Sequence, residues 1–254
     1  MNYTYDTDYK FLTIDAATIT KDDIDNILKV LNIKAQDVIS LQLINTIAIE
    51  FQAFLQFHTL TYVSLPNTLQ TIGASAFSTK GGNTASQLNI DIPTSIVRIG
   101  PEAFLRSNLT LRIDPLHWCS IDFSTEQTEG SWSQVLVNDA KLQDKNGQPL
   151  EKLVLGCDYI SEGAFYGLHC ITSVQTTASV GNSAFKSCKN LTTVVCGGSK
   201  IGEGAFEVCP ALTQVTITNR LTDLGRRAFA LKADDVKSSD TAESLTIYYN
   251  GTKQ

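Results

Sequence analysis

The chain has few of the residues that carry chemistry. It has one methionine, Met1, and three scattered histidines, His58, His117 and His169. None of its six cysteines (Cys119, Cys157, Cys170, Cys188, Cys196, Cys209) forms a Cys-x-x-Cys pair. The usual zinc-ligand spacings are therefore missing, and no metal or cofactor is expected. There is no basic run, and the only adjacent arginines are Arg226 and Arg227. With a net charge of -6, the chain lacks the concentrated cationic surface that displaces counterions from nucleic acid, so nucleic acid is not an expected partner. No apolar stretch approaches the ~18 residues of a membrane span, so this segment is not expected to insert into a membrane. The N-terminus, "MNYTYDTDYKFLTIDA", has no basic region followed by an apolar run and does not read as a secretory signal. The chain reads either as cytoplasmic or as a mature fragment.

Enzyme motifs are missing too. "IGEGAF" (201–206) begins like a kinase glycine-rich loop. The third glycine of such a loop is missing, with Glu207 at its position, and neither a Val-Ala-x-Lys strand nor a His-Arg-Asp loop follows. "DLG" (223–225) lies too close behind to be the metal-binding partner of such a loop. No nucleophile motif is present, so catalytic residues are not expected and the chain does not read as an enzyme.

What is present is a repeat. "IGEGAF" recurs as "IEFQAF", "IGASAF", "IGPEAF", "ISEGAF", "VGNSAF" and "LGRRAF". The seven copies end at Phe54, Phe77, Phe104, Phe165, Phe185, Phe206 and Phe229, at steps of 23, 27, 61, 20, 21 and 23 residues. Strand-like segments accompany them: "LTYVSL" (60–65), "LEKLVL" (150–155), "ITSVQT" (171–176), "LTTVVC" (191–196) and "LTQVTI" (212–217). "LNIDI" (88–92) and "LTIYY" (245–249) occupy the same slot behind insertions. A unit this short cannot close a core alone, but it can when stacked on copies of itself.

Alternation and β-branched residues predict one parallel strand per unit. The Phe is expected to stack on its counterparts in neighbouring coils. The Gly ahead of x-x-Ala-Phe either takes a conformation that a side chain resists or lets coils approach closely. The second glycine of "IGEGAF", Gly204, reads as a freely variable position, because Ser, Glu and Arg fill it elsewhere. Cys188 and Cys209 share the slot three residues beyond the Phe. They are expected to be a buried packing ladder rather than a disulfide or a reactive thiol, and Cys170 and Cys196 likewise. His117-Trp118-Cys119 reads as a turn that packs an indole against the sheet.

The pairing of "LTQVTI" with "LGRRAF", "ITSVQT" with "VGNSAFKSC" and "LTTVVC" with "IGEGAFEVC" resembles the BspA type of leucine-rich repeat, over roughly residues 40–250. The resemblance implies a leucine-rich repeat solenoid of the α/β horseshoe class, mostly β, with stacked parallel strands. It implies a non-enzymatic module on a cell surface or secreted, linked to adhesion and host interaction, with extracellular-matrix proteins among its partners. "HWCSIDF" (117–123), "VLVNDAKL" (135–142) and "EKLVL" (151–155) resemble the long irregular repeat that interrupts such arrays. "IYYNGTKQ" (247–254) resembles the start of another repeat.

The expected organisation is an N-terminal cap over 1–37, a solenoid over 38–250 interrupted at about 113–150, and a tail over 251–254. Within the cap, "TKDDIDNILKVLN" (20–32) predicts a helix with Thr20 as N-cap and Ile24, Ile27, Leu28 and Leu31 on one face. The first sheet strand is expected near "VISLQL" (38–43). "FSTEQTEGSWSQ" and "QDKNGQP" read as loops. Asn-Leu-Thr at 108 and 190 and Asn-Gly-Thr at 250 fit glycosylation acceptors, but within a repeat array they read more simply as the lead-in to a strand.

Alternation along each strand sends the intervening residues outward. The outward column is Tyr62, Ser64, Asp91, Arg112, Lys152, Ser173, Gln175, Thr193, Gln214, Thr216 and Tyr248. It is the candidate binding face for a protein or a glycan. The same pattern would also suit an ordinary solvated sheet in a structural spacer or stalk with no ligand of its own.

Overall fold

The computed structural model describes residues 1–79, 86–106, 108–123, 140–231 and 245–250. The expected loop at 124–134, the inserted segments at 80–85 and 232–244 and the tail at 251–254 lie outside the described residues. The chain forms two compact units, Met1–Asp114 with Asp122–Gln148, and Pro115–Ile121 with Pro149–Gln254.

The first unit has a seven-stranded sheet, in the order Asn2–Asp6, Phe11–Asp15, Ser40–Ile44, Tyr62–Ser64, Leu88–Asp91, Leu109–Arg112 and Lys141–Gln143. Only the first pair is antiparallel. The sheet therefore starts with the hairpin of residues 2–15 and not near residue 38. Period-2 alternation in "NYTYD" and "FLTID" supplies those strands, with Leu12 and Ile14 inward and buried. A second sheet of two-residue strands, Thr18–Ile19, Ala48–Ile49, Thr71–Ile72 and Arg98–Ile99, runs parallel throughout.

The second unit repeats this plan. Its five-stranded parallel sheet is Lys152–Leu155, Ser173–Thr176, Thr193–Cys196, Gln214–Ile217 and Thr246–Tyr249. Its four-stranded sheet is Tyr159–Ile160, Ser179–Val180, Lys200–Ile201 and Asp223–Leu224. Each coil thus runs strand, turn, short strand, Ala-Phe turn and return.

The helix forms at Lys21–Leu31. Thr20 Oγ1 accepts from the Asp23 amide at 3.1 Å, and Asp23 Oδ2 accepts from the Thr20 amide at 3.0 Å. This reciprocal pair satisfies donors that the first turn leaves open. Asn32 ends the helix in the left-handed conformation, φ 53°. Ile24 and Ile27 are buried. The helix follows Phe11–Asp15 and Thr18–Ile19, so it stands where later coils place the Ala-Phe turn.

The Phe ladder forms within each unit. Phe54, Phe77 and Phe104 stack at 5.2 and 5.6 Å with interplanar angles of 11° and 1°. Phe165, Phe185, Phe206 and Phe229 stack at 5.0, 5.2 and 5.5 Å, within 6° of parallel. Alanine before each Phe is buried, leaving the ring room to lie flat on its neighbour.

The two glycine slots do different work. At Gly73, Gly100, Gly181, Gly202 and Gly225 a Cβ would meet backbone atoms of the preceding coil at 2.6, 2.5, 2.7, 2.6 and 2.2 Å. These glycines permit close approach, which decides between the two expected roles. The slot holds Glu50 and Ser161 only where the preceding coil is helical, at Lys21–Leu31 and at Pro115–Trp118.

The left-handed conformation lies two residues later, at Gln52, Ser75, Glu102, Gly163, Ser183, Gly204 and Arg227, with φ between 53° and 68°. Gly204 is therefore variable in side chain but constrained in backbone, which corrects its reading as a free position. A second left-handed site follows two residues after four of the Phe, at Gln56, Gly167, Ser187 and Val208. A β-branched residue at φ 58° is strained.

Candidate functional site

Outward side chains of the strands align into ranks because the parallel sheets stack in register. In the second unit one rank is Lys152, Ser173, Thr193, Gln214 and Thr246. The next is Val154, Gln175, Val195, Thr216 and Tyr248. In the first unit Tyr62 pairs with Ser40 and Asn89, Ser64 pairs with Gln42, and Asp91 pairs with Arg112.

All eleven sequence-predicted residues lie on these strands and none is buried. The structure brings Lys152, Ser173, Thr193 and Gln214 into one rank and Gln175, Thr216 and Tyr248 into the other. Tyr62, Ser64, Asp91 and Arg112 belong to the first unit. Asp91 and Arg112 engage each other at 3.1 Å on adjacent strands; both are exposed, so the pair adds little stability.

The strict L-x-x-h-x-h pattern missed several outward positions. Gln42, Asn89 and Thr246 point outward, as do the apolar Val154 and Val195. Val154 is 74% exposed and Tyr248 53%. An apolar residue between two core positions was the available signal, since period 2 assigns its direction regardless of its chemistry.

The threonines leading into the strands are tied down. Thr172 Oγ1 donates to the Glu151 carbonyl at 3.1 Å, Thr192 to Thr172 at 3.0 Å and Thr213 to Thr192 at 3.4 Å. Asn190 Nδ2 donates to the His169 carbonyl at 2.8 Å. The backbone beneath the outward ranks is thus cross-linked from coil to coil.

The opposite, short-strand face of the second unit carries charge. Asn182 Nδ2 donates to Glu162 Oε1 at 3.1 Å, and Arg226 donates to Glu203 Oε1 through Nε and Nη2 at 3.2 and 3.1 Å. Nearer the core, Lys186 Nζ lies 2.7 Å from Glu207 Oε2, and Arg227 Nε lies 2.5 Å from Glu207 Oε1. Three successive coils meet at this nearly buried carboxylate. Burial pushes its pKa up, but the hydrogen bonds from Lys186 and Arg227 outweigh that and hold it below the usual carboxylate range.

None of the six cysteines is in a disulfide, and Cys170 is half-buried, which corrects its expected place in a buried ladder. Cys188 and Cys209 are fully buried, and each Sγ donates to the Phe carbonyl of the preceding coil, Phe165 and Phe185, at 3.2 Å. Burial pushes the thiols of Cys196 and Cys209 up to about 12, and that of Cys188 well up. They are packing groups and not nucleophiles.

Trp118 ends a short helix, Pro115–Trp118, with its indole fully buried and Nε1 donating to the Ala164 carbonyl at 2.8 Å. It anchors the first Ala-Phe turn of the second unit. Arg106, unremarked in the sequence, is also buried. Its Nη groups reach the carbonyls of Phe57, His58, Leu60 and Ser86 at 3.3–3.4 Å, and burial lowers its pKa to about 10.

Among the described residues no three His, Cys, Asp or Glu side chains cluster as a metal site would need. No described helix is long and apolar enough to cross a membrane.

No curated protein matches the chain. Solved structures similar to it include a leucine-rich repeat protein of Bacteroides ovatus, 18% identical, covering 84% of this chain and 70% of that one, TM-score 0.40. Another is the leucine-rich repeat protein of T. pallidum, 17% identical, covering 88% and 82%, TM-score 0.36. Residues 34–115 and 148–250, well over half of the sequence, match the family described as BspA type leucine rich repeat region, in six copies. With its Ile-Gly-x-x-Ala-Phe turns, in-register parallel strands and stacked Phe ladders, the chain belongs to the BspA-type leucine-rich repeat family.

Proposed function

We propose that the chain is a non-enzymatic recognition module that binds protein or glycan through its outward strand ranks, as part of a cell-surface or secreted protein in adhesion or host interaction. The observation that carries this reading is the register. It aligns solvent-facing side chains of successive coils into continuous ranks over a backbone cross-linked from coil to coil. Affinity can then accumulate from many small contacts, as extended repeat surfaces allow.

The test is a binding screen against immobilised matrix proteins and a glycan array. Two charge-introducing variants are compared, Thr216→Glu on the strand face and Asn182→Lys on the short-strand face. Binding that Thr216→Glu abolishes and Asn182→Lys spares supports the reading. A folded protein that binds nothing in either format overturns it and favours a structural spacer.

A further inference from the structure

Resting on that reading, we propose that the strand face of the second unit takes an uncharged, extended polysaccharide that lies across the strands, one sugar to each coil. Charge is segregated around this unit. Of the ten outward positions on its long strands only Lys152 is charged. The short strands carry Lys200 and Asp223, and the turns that follow them carry Glu162, Glu203 and Arg226. In a chain of net charge -6, a nearly neutral face has no field with which to select a polyanion or polycation. Its selectivity rests on hydrogen bonding and shape.

The period of the face separates glycan from protein. Adjacent strands are about 4.8 Å apart, so Gln175, Val195, Thr216 and Tyr248 recur at that interval. A pyranose in an extended β-linked chain advances by a comparable distance, so each sugar meets the same slot of the next coil. A polypeptide strand laid in the same direction advances about 3.4 Å per residue and drifts out of phase.

The side chains suit a sugar. The amides of Gln175 and Gln214 and the hydroxyl of Thr216 both donate and accept, as sugar hydroxyls do. Val154 at one end of the rank and Tyr248 at the other are exposed apolar surfaces against which the C–H face of a pyranose packs. Because the backbone is hydrogen-bonded throughout this sheet, little ordering cost falls on binding.

The experiment is calorimetry with cellobiose through cellopentaose and with laminaripentaose, against alginate as a polyanion and fibrillar collagen as a protein. The expected result is affinity for an uncharged β-linked oligosaccharide that rises about tenfold from two sugars to five and is unchanged by added salt. Replacing Gln175 and Thr216 together by Ala, or Tyr248→Ala, weakens it about fivefold or more, while Glu203→Gln on the opposite face does not. All the substituted side chains are on the surface, and equal urea midpoints check that the variants fold.

Length-independent binding, salt-sensitive binding to alginate, or silence across the uncharged sugars overturns the polysaccharide proposal. If collagen binds and Tyr248→Ala weakens it, the recognition reading stands and its ligand is protein. If no probe binds, the polysaccharide proposal falls, and the recognition reading falls with it when the matrix-protein and glycan screen is silent too.

Discussion

Two alanine substitutions placed two residues apart test the coil geometry. Gly202→Ala puts a Cβ 2.6 Å from the Asn182 amide nitrogen and from the Gly181 carbonyl carbon. Ordinary carbon contacts begin near 3.4 Å, so the overlap is about 0.8 Å against backbone, which cannot rotate away. The coils must part where Gly202 N donates to the Val180 carbonyl at 2.8 Å. The cost is expected at the top of the overpacking range, about 3 kcal/mol.

Gly204→Ala meets no backbone. Its nearest neighbour is the end of the Glu207 side chain at 3.0 Å, and its cost is the left-handed φ of 59°. That is about 1–2 kcal/mol, reduced by the lower entropy of an unfolded alanine to about 1 kcal/mol. Urea unfolding in a Trp132→Phe background, followed by Trp118 emission, reports on the second unit. Gly204→Ala costing as much as Gly202→Ala would refute the assignment of close approach to one slot and backbone handedness to the other.

Three further outcomes are expected. Val208→Gly should stabilise the protein by about 1 kcal/mol and so raise its urea midpoint, since relief of a strained β-branched residue outweighs the entropy of the added glycine; an unchanged or lower midpoint contradicts the strain. Glu207→Gln should cost about 2 kcal/mol at neutral pH by removing the negative charge that Lys186 and Arg227 share. Because the folded pKa of Glu207 is depressed, this stabilisation is present above about pH 4.5 and fades as pH falls through the folded value; unfolding curves of both proteins should converge in acid. In native protein at pH 8, an alkylating reagent should modify the half-buried Cys157 and Cys170 first, while Cys188, Cys196 and Cys209 react only on unfolding, as time-resolved intact mass would show.

The repeat, the parallel strand in each coil, the Phe ladder, the capped helix and the direction of every predicted outward residue were legible in the sequence. Each follows from a local rule: period 2 fixes the face of a strand, and a fixed spacing places the same residue in the same slot of every coil. The hairpin over residues 2–15 was equally local, but its strands precede the first Ala-Phe turn and so carry no repeat signature. The role of Gly204 was masked because the φ of a position is not written in its residue type; Gln52, Glu102 and Arg227 adopt the same conformation at a tolerable cost.

Tertiary structure alone decided what depends on the neighbouring coil. Which glycine faces backbone at 2.6 Å, which carboxylate three coils share, and why Arg106 is buried against four carbonyls all concern residues 20 to 49 positions apart. Stacking sets those distances, and stacking is a property of the assembled coils and not of any one of them.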